Sequence, residues 1–173
     1  MAFFHERDAI LLRLGVLSDT HVQSLTAARN LADLLLNGVF SGVDAILHAG
    51  DQVSPELESC FAPLPWYAVR GNMDFFDSDL PERRILPLAG WRIGMVHGWG
   101  SPQGIEARVL SCFADDSIDV LIFGHSHQPV CRKQGSLLLL NPGSATDRRH
   151  APCHSVGLLS LGDEINAEIV TLD

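Results

Sequence analysis

Five times along this chain a short aliphatic run stops at an acid, an amide or a histidine. LRLGVLSDTH delivers Asp19 and His21, DAILHAGD delivers Asp51, and WYAVRGN delivers Asn72. WRIGMVHG delivers His97, and DVLIFGHSH delivers His125 and His127. Runs this short and this apolar read as strands. In open α/β sheets the crevice beyond the strand carboxyl ends is where ligands bind. Groups far apart in sequence can therefore meet at one place.

The stretches between these runs define the rest of the architecture. Leu25, Ala28, Leu31, Ala32 and Leu35 fall on one face at helical spacing, predicting a helix over Leu25–Leu36 that stops at Asn37-Gly38. A short helix is expected from Pro55 to Phe61, with Ser54 as N-cap and Pro55 at the first helical position. A loop rich in Asp, Phe and Pro runs from Met73 to Pro87, and Pro102 opens a helix through about Phe113. LLLLNPGS reads as a strand into a tight turn. VGLLSL and AEIVTL, around the turn signal Gly162-Asp163, read as a closing hairpin. Eight strands with few helices are better housed in two stacked sheets with helices outside than in one open sheet covered on both faces.

Composition narrows the function classes. The 173 residues carry 12 Lys+Arg against 21 Asp+Glu, a formal net charge of −9. That argues against a nucleic-acid surface or an anionic membrane as partner. No run approaches the ~20 apolar residues of a membrane span. The N-terminal stretch places Glu6 and Asp8 ahead of its apolar part and lacks a basic n-region, so no secretory signal is expected. Cys60, Cys112, Cys131 and Cys153 form no Cys-x-x-Cys pair, and free thiols in a reducing cytoplasm are the expectation. The length suits a single domain.

The polar strand ends have the composition of a metal site. Residues i and i+2 on an extended segment point to one side, so Asp19 and His21 can aim at one ion, as can His125 and His127. Carboxylate, imidazole and amide ligands suit Mn, Fe or Zn. Seven candidates exceed what one catalytic ion needs, and two ions sharing a bridging carboxylate accommodate them. Taken singly, Gly-Asp, Gly-Asn and His-Gly are ordinary turn or core features. Gly-His-Ser-His is the sharpest element, and the ordered set is harder to explain by packing.

That ordered set, SDTH, GD, GN, VHG and GHSH, resembles the signature of the calcineurin-like metallophosphoesterases. Asn141-Pro142-Gly143-Ser144 points to their small single-domain bacterial and archaeal phosphodiesterase branch. The resemblance implies a four-layer α/β/β/α sandwich, two mixed sheets face to face with helices outside. It implies one ion on Asp19, His21 and His127, a second on Asn72, His97 and His125, and Asp51 bridging the two. Manganese is the expected metal, with iron, nickel or zinc as alternatives. The activity implied is hydrolysis of a small phosphodiester by a metal-bridging hydroxide. Asp51 and Asn72 would take part in catalysis, Asn72 also hydrogen-bonding the phosphate. A phosphomonoesterase and a metal-free interaction scaffold of the same fold are the competing readings. Small-branch members tend to form dimers or tetramers.

One position departs from the family pattern. Many members have Gly-Asn-His-Asp/Glu, with the histidine as general acid, where this chain has Gly71-Asn72-Met73-Asp74. A thioether cannot donate a proton. Arg70 is a candidate for substrate phosphate, since a guanidinium matches phosphate geometry. His48 reads as a packed, hydrogen-bonded residue. Phe75, Phe76 and Trp99 flank proposed ligands and can either pack or stack on an aromatic ester group. Arg148, Arg149 and His150 read as a solvated loop.

Overall fold

The computed structural model describes residues 11–75 and 79–172. Ten strands form two five-stranded sheets among these residues. The first sheet takes β1 (Leu12–Leu17), β2 (Ala45–His48), β3 (Trp66–Ala68), β9 (Ser155–Leu161) and β10 (Ile165–Thr171), in the order β10-β9-β1-β2-β3. The second takes β4 (Arg83–Leu88), β5 (Trp91–Val96), β6 (Val120–Ile122), β7 (Val130–Gln134) and β8 (Leu137–Asn141), in the order β4-β5-β6-β8-β7. Both are mixed. β1, β2 and β3 run parallel, as do β5, β6 and β8, and the remaining pairings are antiparallel.

Alternating side chains sort the layers. Leu14, Val16, Ala45 and Leu47 of one sheet share a buried core with Ile93, Met95, Val120, Ile122, Leu138 and Leu140 of the other. The residues between them face outward. Leu17 and Ile46 pack with Ala28, Leu31, Ala32 and Leu35 of α1 (Leu25–Leu36) and Leu57 of α2 (Glu56–Cys60). On the far side Val96, Leu121 and Leu139 pack with Ile105 and Val109 of α3 (Ile105–Ser111). The period of two along each strand thus produces the expected four layers, helix, sheet, sheet, helix.

Several elements differ from the sequence reading. All of β4 but Leu88 lies inside the segment, Met73 to Pro87, expected to be loop. It is an edge strand, and Pro87 is tolerated there because an edge residue need not donate to a second neighbour. It turns into β5 through Ala89 and Gly90, both at positive φ (49° and 85°), as a tight hairpin turn of the I′ kind requires. β7 was also unexpected. Its mostly exposed side chains sit on the opposite edge of the same sheet and give no buried alternation to read. Ser54 does not cap α2. Its hydroxyl donates to the Glu56 carboxylate, and the first helical residue is Glu56, after Pro55. α3 is shorter than expected, beginning after Gly104.

Candidate metal centre

The candidate ligands stand in the turns beyond the strands. β1 ends at Leu17, β2 at His48, β3 at Ala68, β5 at Val96 and β6 at Ile122. The chain then curls back. Asp19, His21, Asp51, His125 and His127 all have left-handed backbone, with φ of 52°, 44°, 59°, 68° and 58°. The extended i, i+2 geometry expected for Asp19 with His21 and for His125 with His127 is therefore absent. Curved main chain, of a kind uncommon outside glycine, aims these side chains.

Five of the seven candidates converge. Asp19, His21 and His127 present ligand atoms within 4.8 Å of one another, and so do Asp19, Asp51 and His97. His127 Nε2 lies 3.4 Å from Asp19 Oδ1 and 3.3 Å from His21 Nε2. His97 Nε2 lies 3.3 Å from Asp51 Oδ2 and 3.8 Å from Asp19 Oδ1. Asp19, Asp51, His97 and His127 are buried. Asn72 and His125 stand beside this cluster and meet each other, Asn72 Oδ1 against His125 Nδ1 at 2.9 Å. His125 Nε2 faces the Gly100 carbonyl, also at 2.9 Å. The His97 and His125 rings meet edge to face, 5.3 Å between centroids.

The outer nitrogens fix the tautomers. His97 Nδ1 donates to the Ala49 carbonyl at 2.7 Å, and His127 Nδ1 donates to the Asp147 carbonyl. Each ring then turns a bare Nε2 lone pair inward, the arrangement that metal-ligating histidines use. The His97 Nε2 is buried and has no hydrogen-bond partner, although Asp51 Oδ2 lies 3.3 Å away. The His97 Nε2 thus stands against two carboxylates with no donor between them, an arrangement that a cation or a proton satisfies. The oxygen and nitrogen donor set fits a divalent first-row ion.

Protonation equilibria follow the same logic. Burial opposes a charge on His97, but Asp51 and Asp19 outweigh it, and its pKa is raised. Burial also works against the Asp51 carboxylate, yet His97, the Met73 amide and His21 hold its pKa below the usual range. For His21 burial wins, with help from His127 and Arg149, and its pKa is lowered despite Asp51 and Asp19.

A second set of residues braces the turns. Asp74 accepts three backbone N–H groups, from Gly71 at 2.7 Å, Val53 at 2.8 Å and Asp51 at 3.0 Å. Met73 N–H in turn donates to Asp51 Oδ1 at 2.7 Å. Sequence reasoning overlooked Asp74. The available signals were an acid two residues after a candidate ligand and its place at the acidic position of the Gly-Asn-His-Asp/Glu pattern. His48 is buried and accepts the Gly50 N–H at Nδ1, so its Nε2–H donates to Thr20 Oγ1 at 3.0 Å. Asn141 donates to the Gly124 carbonyl and to Ser126 Oγ, while Ser144 Oγ donates to the Asp19 carbonyl at 2.7 Å. The NPGS segment thus ties the Asp19 turn to the histidine turn. Two glycines are sterically obligatory. A Cβ on Gly71 would sit 2.1 Å from Asp51 Oδ1, and one on Gly124 would sit 1.8 Å from Ser18 Oγ.

Other sequence candidates are placed as follows. Arg70 donates to Glu82 at 2.5 Å and lines a cavity beside Asn72 and His97. Arg148 braces its own turn through the Ala151 and Pro152 carbonyls, and Arg149 lies beside Asp147. Met73, Phe75 and Trp99 are exposed. Phe76 lies outside the described residues. The four cysteines are free thiols, and no helix among the described residues is long and apolar enough to cross a membrane.

The chain is similar to known proteins of one superfamily. The calcineurin-like phosphoesterase superfamily domain matches residues 12–164, and the chain belongs to that superfamily. A probable metallophosphoesterase of Methanothermobacter thermautotrophicus is 35% identical over 159 residues, covering 91% of each chain. Among solved structures, an archaeal phosphodiesterase aligns with a TM-score of 0.73 at 19% identity, over 93% of this chain and all of that one. The Vps29 protein of Entamoeba histolytica, solved with Zn2+, aligns with a TM-score of 0.65 at 22% identity, over 94% of this chain and all of that one. Both structures share the fold.

Proposed function

We propose that this phosphoesterase-family chain is a metal-dependent phosphodiesterase with a dinuclear centre. Asp19, His21 and His127 would hold one divalent ion, His97 with Asn72 and His125 a second, and Asp51 would bridge them. Manganese is the proposed metal. The observation that carries the reading is the buried, partnerless His97 Nε2 facing two carboxylates. Bound divalent ions supply Lewis-acid charge and a water-derived nucleophile at neutral pH.

The chain's own residues do the rest. Asp19 and Asp51 contribute two negative charges against the four of a divalent pair, leaving the centre positive within an acidic protein and attractive to phosphate. The Ala49 and Asp147 carbonyls orient His97 and His127 in the ligating tautomer. Asp74 and the Met73 amide fix Asp51. Asn72, at the rim, can turn its amide from His125 to a phosphoryl oxygen. Met73 offers no proton to a departing alkoxide, which favours esters of acidic alcohols.

The testing experiment replaces Asp51 by Asn and measures bis(4-nitrophenyl) phosphate turnover with Mn2+, beside metal content by elemental analysis. The expected result is about two equivalents of metal in the native protein, fewer in the variant, and turnover lost. Retained turnover would refute the bridging role. A matched monoester hydrolysed faster than the diester would replace the diesterase reading by a phosphomonoesterase. A native protein that takes up no metal would favour a scaffold.

A further inference from the structure

A cavity of about 470 Å³ opens beside the centre and shares Asn72 and His97 with it. Arg70, Glu82, Arg83 and Trp99 complete the wall relevant here. Its size falls within the range of small-molecule sites, about 300–1,000 Å³. Its two cations already face carboxylates. Arg70 donates to Glu82 at 2.5 Å, and Arg83 donates to Asp116 while lying 4.6 Å from the Phe113 ring centroid. A second phosphate entering here would have to break these pairs. A neutral group would not.

Trp99 gives the cavity its character. Trp99 is 47% exposed, yet the backbone that carries it is fixed. The Arg108 guanidinium donates to the carbonyls of Trp99 at 2.9 Å, Gln103 at 3.1 Å and Ser101, and His125 Nε2 faces the Gly100 carbonyl. An exposed aromatic on anchored backbone, two residues from His97, is a stacking wall that loses little freedom when a flat ligand arrives.

We propose that the cavity receives one ester group of the substrate and that Trp99 selects a flat, uncharged aromatic group there, from a nucleoside or a simple aryl alcohol. The inference rests on the phosphodiesterase reading for its biological meaning, but it is a statement about binding. Trp99 is a specificity residue, distinct from the residues that hold metal.

Isothermal titration of Mn2+-loaded protein with methyl phosphate, phenyl phosphate and adenosine 5′-monophosphate tests it. Trp99→Ala should weaken the two aromatic monoesters about ten- to hundredfold and leave methyl phosphate within about twofold, with Trp99→Phe intermediate. A loss confined to the adenosine ligand assigns the cavity to nucleosides, and an equal loss for phenyl phosphate assigns it to aryl groups generally. Both sustain the proposal. No loss, or the same loss for methyl phosphate, overturns it. Native protein that hydrolyses no diester yet shows the Trp99-dependent difference would remove the activity reading and keep this one. Active native protein with no such difference would do the reverse.

Discussion

The Asp74 carboxylate accepts the backbone N–H of Asp51 across 23 positions of sequence, at 3.0 Å. It also accepts the N–H groups of Val53 and Gly71, so one side chain sets the relation between the turn that follows β2 and the turn that follows β3. Asp74→Asn keeps the shape but turns a charged acceptor into a half-donor. The expected outcome is a loss of about 1–3 kcal/mol in stability of metal-free protein, with metal affinity about 10–100-fold weaker. Denaturant melts and Mn2+ titration measure the two effects separately.

Gly71→Ala tests the same junction from the other side. The new Cβ would fall 2.1 Å from Asp51 Oδ1 and 2.3 Å from its backbone nitrogen, so the Asp51 turn must shift. Overpacking of this kind costs about 1–3 kcal/mol. The variant should lose stability and bind less metal, with elemental analysis as the readout. Native metal content would show that the turn can relax without moving the carboxylate.

His48 predicts a pH dependence. Burial pushes its pKa down to about 4, against an ordinary 6.5, with Asp74 and Asp51 opposing and His97 and His21 adding to the fall. The unfolded chain therefore takes up this proton between pH 6.5 and about 4, while the folded chain stays neutral there. Stability from this residue is complete above pH 6.5 and is lost as pH falls through that window, by on the order of 3 kcal/mol. In chelator-treated protein, His48→Gln should flatten that limb of the stability profile. An unchanged slope would assign the acid sensitivity to other groups.

Met73 occupies the place where many family members carry an acid. It is 56% exposed, and its amide, not its side chain, contacts Asp51. Met73→His keeps that amide bond and adds a proton donor. Turnover of diesters with alkyl leaving groups should rise about 10²-fold, with nitrophenyl esters changed only a few-fold. No rise on alkyl esters would mean that the position does not reach the leaving group.

Sequence reasoning found the elements that obey strong local rules and overlooked those that do not. The α1 stripe and the aliphatic runs of β1, β2, β5, β6 and β8 follow from burial, so the inner strands of both sheets were legible. β7 is an edge with mostly exposed side chains and β4 a half-buried edge carrying Pro87, and neither has the continuous apolar run of the inner strands. That Asp19, His21, Asp51, His97 and His127 come together was legible because each follows the end of an apolar run. Its means of assembly was not. The expected extended pairs are left-handed turns, and the role of Asp74 exists only once two loops meet. Nor does any spacing reveal that Asn72 and His125 pair with each other at the rim.

The left-handed backbone at five candidate ligands places two demands on one residue. Asp, Asn and His tolerate this conformation better than most side chains, and they are also ligands. Glutamate at position 51 would preserve charge and oxygen chemistry while sitting uneasily on the curled main chain. Alanine scanning at these sites would mix the loss of a donor atom with the loss of a conformational specialist. Grafting the same seven letters onto straight strands of another scaffold would reproduce the alphabet and not the pocket.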